Sequence, residues 1–190
     1  MPAETPDTAP AADAVVAVIS DTHLPRRGAA LPDAVVHAVR GADLLIHAGD
    51  LTSIAVLRAL RAFGPPVVAV HGNADDEAVR EILPETATVE VAGLTIGVVH
   101  DAGPEAGRLG RLRRRFPECD IVVFGHSHIP LYARDDGFVI LNPGSATDRR
   151  RQPHHSMARI RVVDGALDVS FVRLDEPVGI LPAELVRTAG

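Results

Sequence analysis

Five apolar runs in this chain end in residues that can hold a cation. "SDTH" places Asp21 and His23 after one run, "HAGD" places Asp50 after a second, and "HGNAD" places Asn73 after a third. "IGVVH" closes on His100, and "VVFGHSH" closes on His126 and His128. Imidazole gains little at the end of a buried strand unless something there uses its nitrogens. One such ending is unremarkable, but five in one chain make a donor set. In extended chain, residues i and i+2 point the same way, so Asp21 and His23 can face one ion together. His126 and His128 can do the same, or serve two neighbouring ions if the chain turns after Gly125. Gly49, Gly72 and Gly125 precede or nearly precede these residues, where a missing Cβ permits tight turns and close approach. Mixed imidazole, carboxylate and amide donors suit Mn²⁺, Fe or Zn²⁺ better than Mg²⁺ or Ca²⁺.

Charge then suggests a substrate. Two divalent ions set against Asp21, Asp50 and one bridging hydroxide leave the centre at about +1, which attracts an anion and stabilises growing negative charge. Phosphate esters are the natural class, because paired metals clamp an in-line displacement and generate hydroxide near neutral pH.

The elements that must position these residues are legible as periodic segments. "AVVAVIS" (14–20) is a Val-rich run of the kind buried on both faces of a sheet. "LPDAVVHAVRG" has helical spacing and stops at Gly41, "ADLLIHAGD" reads as a strand, "SIAVLRALRAFG" as a helix to Gly64, and "PPVVAVHGN" as a third strand. "DDEAVREIL" reads as a short helix capped by Asp75 or Asp76. This β-α-β-α-β order predicts an α/β sheet with right-handed crossovers. Further on, "ATVEVAG" and "LTIGVVH" pair across Ala92–Gly93, "EAGRLGRLRRRF" is helical, and "CDIVVFG" is another buried strand. Two hairpins are expected, around Asp136–Gly137 and Asp164–Gly165. In open α/β sheets ligands bind outside the carboxyl ends of the strands, which is where the donors fall.

The chain has 190 residues, 46% hydrophobic and 23% charged, with net charge −6. That is enough for one domain with a sizeable core. "MPAETPDTAPAADA" has neither a basic nor an apolar signal region, and residues 1–13 are expected to be a disordered tail before a single domain at 14–190. No apolar run approaches bilayer-spanning length. Cys119 is the only cysteine, so no intrachain disulfide or thiolate cluster can form, which fits a reducing cytoplasm. Every one of the 19 basic residues is arginine, so Schiff-base and P-loop lysine chemistry is excluded. The acidic balance argues against nucleic acid as a partner.

Taken together, "SDTH…HAGD…HGNAD…VVH…GHSH…NPGS" resembles the calcineurin-like metallophosphoesterase superfamily, in particular the small single-domain phosphodiesterases of the YfcE type. The resemblance runs from about Val15 to about Val172. It implies a four-layer α/β/β/α sandwich, two packed mixed sheets flanked by helices, with two divalent ions, manganese first and Fe, Zn or Ni as alternatives. It assigns Asp21, His23, Asp50 and His128 to one metal, and Asp50, Asn73, His100 and His126 to the other, with Asp50 bridging. Asp50, Asn73 and His126 become the candidate catalytic residues, and Asn73, Arg26 and Arg149 the candidate substrate contacts. The implied activity is hydrolysis of a small phosphate ester, most simply a diester, by a metal-bridging hydroxide; homo-oligomers occur among relatives.

Two departures stand out. Ala74 follows "GN" where many superfamily members carry a histidine that protonates the leaving group, so no leaving-group acid is assigned. Asp101 follows His100 where relatives have glycine, either capping the next loop or orienting a ligand histidine. His154 and His155 are candidates for the missing acid or plain loop residues. His47 and His71 are expected to pack or to support the donors, and His37 to be an ordinary helix residue. Arg113–Arg115 reads as a solvated helix face, while Arg149–Arg151 and Arg26–Arg27 can bring a guanidinium to substrate. The competing class is a scaffold or binding protein on the same fold, as in the retromer subunit, and a third reading is a metal-dependent nuclease.

Overall fold

The computed structural model describes residues 13–175 and the backbone of 180–182. The expected N-terminal tail therefore lies, up to residue 12, outside the described residues. The described residues form eleven strands and four helices in order: β1 Ala14–Ile19, α1 Asp33–Arg40, β2 Leu44–His47, α2 Ile54–Arg61, β3 Val67–Ala69, α3 Glu77–Ile82, β4 Thr86–Val91, β5 Leu94–Val99, α4 Arg108–Arg115, β6 Ile121–Val123, β7 Leu131–Asp135, β8 Phe138–Asn142, β9 Ser156–Val163, β10 Ala166–Arg173 and β11 Ile180–Pro182. One sheet has the order β11-β10-β9-β1-β2-β3 and the other β4-β5-β6-β8-β7.

Register explains why the polar strand endings meet. In the first sheet β1, β2 and β3 run parallel, with Ile19 beside His47 and His47 beside Ala69. Their carboxyl ends are therefore level, and the segments carrying Asp21, Asp50 and Asn73 leave from one rim. In the second sheet β5, β6 and β8 are also parallel, with Val98 beside Val123 and Val123 beside Leu141. His100, the "GHSH" turn and the "NPGS" turn leave that rim together.

Three apolar layers fix the stacking. Between the sheets lie Val16, Val18 and Ile46 from one side and Ile96, Val98, Val123 and Leu141 from the other, all fully buried. Outside the first sheet, Val35 and Val39 of α1, Leu57 and Leu60 of α2 and Val79 of α3 pack on Ala17, Ile19 and Leu45. Outside the second, Leu112 of α4 and the following Phe116 pack on Val122 and Ile140. Each fully buried Val, Leu or Ile contributes about 1.5–3 kcal/mol of transfer free energy. The result is the expected α/β/β/α sandwich.

The hairpin expectations hold in detail. Ala92–Gly93, Asp136–Gly137 and Asp164–Gly165 all have positive φ at both residues, the backbone that matches right-handed strand twist in two-residue turns. Asp76, rather than Asp75, caps α3 by accepting the Val79 amide at 2.9 Å. The arginines of α4 are more committed than a solvated face would be. Arg113 reaches the Asp135 and Asp136 carbonyls, Arg115 the Glu85 carboxylate, and Arg108 and Arg111 staple the loop that precedes the helix. Among the described residues, no helix is long and apolar enough to cross a membrane.

Candidate metal centre

All seven candidate donors converge on the shared rim. Around Asp21, the His128 Nε2 lies 3.3 Å from Oδ1, and the Nε2 atoms of His23 and His128 lie 3.2 Å apart. On the other side, Asn73 Oδ1 lies 3.1 Å from His100 Nε2 and 2.8 Å from His126 Nδ1. Asp50 stands between them: its Oδ2 is 3.5 Å from His23 Nε2 and 3.4 Å from His100 Nε2. Its Oδ1 is occupied by the Ala74 amide at 2.7 Å. Two groups, Asp21–His23–His128 and Asp21–Asp50–His100, each hold their ligand atoms within 4.8 Å of one another.

The backbone achieves this differently from the extended spacing expected of the sequence. Asp21, His23, Asp50, His126 and His128 all have φ between 46° and 69°. Left-handed backbone costs a non-glycine residue about 1 kcal/mol or more, and such residues gather at functional sites. The chain therefore turns at each donor instead of running straight through it. His126 and His128 consequently diverge, one toward Asn73 and the other toward His23, because the chain turns after Gly125.

Glycine is required where donors lie against backbone. A Cβ on Gly72 would collide with the Asp50 carboxylate and stand 2.8 Å from His100 Cδ2. One on Gly125 would collide with the Ser20 hydroxyl and stand 2.7 Å from Asp21 Oδ2.

Hydrogen bonds set which imidazole nitrogens face the centre. His100 Nδ1 meets the Ala48 carbonyl at 2.7 Å, and His128 Nδ1 meets the Asp148 carbonyl. A carbonyl only accepts, so both Nδ1 atoms carry protons and both Nε2 atoms point inward, the usual arrangement of ligand histidines. The "NPGS" turn braces the rest: Ser145 Oγ donates to the Asp21 carbonyl at 2.7 Å, and Asn142 Nδ2 to the Gly125 carbonyl at 2.7 Å.

Burial and neighbouring charge compete at each group. Burial pushes the Asp50 carboxyl up, but the hydrogen bond and charge of His100, the Ala74 amide and His23 outweigh it and hold it at about 2. Burial pushes His100 down, yet the Asp50 hydrogen bond and the charges of Asp21 and Asp50 raise it to about 9. For His23 burial prevails over Asp50 and Asp21, and its value is lowered. His47 is fully buried, contacts Thr22 Oγ1 at 3.0 Å, and falls to about 3 because burial dominates.

Other expected residues sit as follows. Arg149 donates to the Gln152 carbonyl at 2.5 Å, and Arg26 is exposed in the turn after His23. Of that second arginine run it is Arg150 that reaches the centre's backbone, at the His126 carbonyl. Arg27 pairs with Asp148 at 3.3 Å. His155 pairs with Asp175 at 2.9 Å and lines a separate cavity with Arg27 and Thr147. Asp101 is a cap, accepting the Gly103 amide at 2.7 Å. His37 is an exposed helix residue, and His71 lines the cavity beside Asn73.

Two residues escaped the sequence reading. Asp75 is buried and accepts the amides of Asp50, Thr52 and Gly72. Arg80 lines a cavity of about 260 Å³ beside Asn73, His100 and His126. The only sequence signal for either was its proximity to "HGN".

A four-layer sandwich with an Asp/His/Asn donor set on its strand-end rim, Asp21, Asp50, His100 and His128 buried and Asn73 and His126 open to solvent, defines a hydrolase scaffold of the metal-dependent type. The calcineurin-like phosphoesterase superfamily domain matches residues 15–165, and the chain belongs to that superfamily. It is 35% identical over 166 residues to the "Probable metallophosphoesterase" of Methanothermobacter thermautotrophicus, covering 86% of this chain and 95% of that protein. A phosphodiesterase of Methanocaldococcus jannaschii is 22% identical over 142 residues, covering 68% and 82%. The structure of zinc-complexed Vps29 from Entamoeba histolytica superposes with a TM-score of 0.73 at 25% identity, covering 88% and 96%.

Proposed function

We propose that the chain is a dinuclear metal-dependent phosphodiesterase acting on a small phosphate ester. The carrying observation is the position of Asp50 Oδ2 between His23 and His100, at 3.5 and 3.4 Å, which suits one oxygen to two cations. The donor set fits divalent metals with borderline preferences: four imidazoles, of which His100 and His128 are fixed with Nε2 inward and His126 presents Nδ1, two carboxylates and one carboxamide. Asp21, His23, Asp50 and His128 would hold one ion, and Asp50, Asn73, His100 and His126 the other. When bound, divalent ions supply Lewis acidity and a hydroxide nucleophile for in-line attack on phosphorus. Asn73 and His126, on the cavity side, would orient the phosphoryl oxygens. Manganese is the first candidate, and the zinc complex of a structural relative supports zinc as the second. The M. jannaschii relative supports a diester over a monoester. Ala74 leaves no histidine at the position used for leaving-group protonation, so esters with acidic leaving groups should turn over best.

The test is hydrolysis of bis(p-nitrophenyl) phosphate by chelator-stripped protein, with and without Mn²⁺, alongside metal binding by calorimetry. Two bound equivalents and activity only with metal support the reading. Tight metal binding by folded protein with no hydrolysis of any phosphoester would select the scaffold alternative.

A further inference from the structure

The cavity beside Asn73, His100 and His126 contains a guanidinium that, among the described residues, no carboxylate pairs with directly. Arg80 Nη2 donates to the Asn73 carbonyl at 2.6 Å and Nε donates to the Asp75 carbonyl at 3.0 Å. Two backbone acceptors thus fix the direction of the fork while leaving its charge intact, and the remaining N–H groups are available to a ligand. Among the described residues, no ion pair involves Arg80. The two acids that line the same cavity are engaged elsewhere: Glu85 pairs with Arg115 at 2.6 Å, and Asp101 accepts the Gly103 amide. The cavity opens only on the Asn73 side of the centre; Asp21, His23 and His128 do not line it.

We propose that Arg80 selects phosphoesters bearing a second anionic group, a carboxylate or a further phosphate, which it receives in this cavity while the scissile phosphate lies at the metals. This inference rests on the phosphoesterase reading above. A guanidinium held in advance loses little freedom on binding and pairs with carboxylate or phosphate in bidentate geometry. A neutral or cationic substituent would leave that charge unanswered.

The experiment compares binding of two hydrolysis-proof probes to the Mn²⁺-loaded protein by calorimetry: propylphosphonate, and 3-phosphonopropionate, which adds one distal carboxylate. The wild type should bind the carboxylated probe at least about tenfold more tightly, a usual margin for one charge-assisted pair. In Arg80→Gln that ratio should fall to near one, and in Arg80→Lys, which keeps the charge but not the fork, to an intermediate value. Thermal melting of both variants verifies their fold. A wild-type ratio near one, or an Arg80→Gln ratio equal to wild type, overturns the role of Arg80 and leaves the phosphoesterase reading standing. If metal-loaded wild type binds neither phosphonate, the phosphoesterase reading fails and takes this inference with it.

Discussion

Asp75 grips the backbone of Asp50. Its Oδ2 accepts the Asp50 amide at 3.0 Å and the Gly72 amide at 2.6 Å, while Oδ1 accepts the Thr52 amide. One buried carboxylate thus fastens the loop after β2 to the loop after β3. Replacing Asp75 with Ala leaves three buried amides without an acceptor, at about 1–3 kcal/mol each. The expected loss is on the order of 3–9 kcal/mol, read as a lower urea midpoint, with metal affinity falling as the Asp50 loop loosens. Asp75→Asn keeps one carbonyl oxygen and should lose about half as much.

Asp50→Asn isolates the bridging oxygen. The substituted amide can still accept from Ala74 through its carbonyl, but it presents an NH₂ group where Oδ2 now faces His23 and His100. Turnover should drop by more than the ~10–100-fold that loss of an outer-shell partner costs, and calorimetry should register fewer than two metal equivalents. Circular dichroism should remain that of the wild type. A folded variant with full metal content and near-normal activity would remove Asp50 from the centre.

Metal uptake should release protons. Without metal, His100 is held at about 9 and Asp50 at about 2 as partners in one ion pair. The raised His100 stabilises the metal-free fold fully below 6.5, and that contribution is lost as pH rises through about 9. The lowered Asp50 contributes above 3.8, and its share is lost as pH falls through about 2. A metal needs the His100 Nε2 lone pair, so apparent affinity should climb from pH 6 to about 9. Chelator competition across that range checks the slope, and a pH-independent affinity would contradict it.

His47 should make the fold lose stability on acidification from about 6.5 downward, starting before carboxylates titrate. Its folded value of about 3 lies below the ordinary imidazole value of 6.5, so the neutral form contributes stability above 6.5 that is lost as pH falls toward 3. The slope in that window is about 1.4 kcal/mol per pH unit. Denaturant titrations of metal-free protein at pH 7 and 4.5 should show it, and His47→Gln should flatten it. Equal pH dependence in the variant would assign the effect to another group.

What the sequence made legible was whatever local pattern carries. Val-rich runs gave β1 and β6, and Asp-Gly pairs gave two hairpins at the right residues, because turn chemistry is confined to adjacent positions. The seven donors were readable because each closes an apolar run. Their backbone was not: nothing in "GHSH" announces φ of 69° at His126 and 60° at His128, since left-handed backbone is uncommon even for Asp and His, the side chains enriched there. Asp75 passed for a helix cap because two of its three amide partners, Asp50 and Thr52, lie more than twenty residues away in sequence. Arg80 was unreadable for the same reason, since its cavity is closed by Val99, His100 and His126 from the other sheet.

The turned backbone at the rim makes this centre non-portable. Five donors held in left-handed conformation amount to roughly 5 kcal/mol of local disfavour, comparable to the whole net stability of a modest domain. No loop here would keep its shape once cut from the chain, so peptides spanning "SDTH" or "GHSH" should bind metal no better than any short histidine peptide. The two sheets act as a jig: what they transmit to the rim is enforced geometry, and a graft of these loops onto another scaffold would have to import the level strand ends along with them.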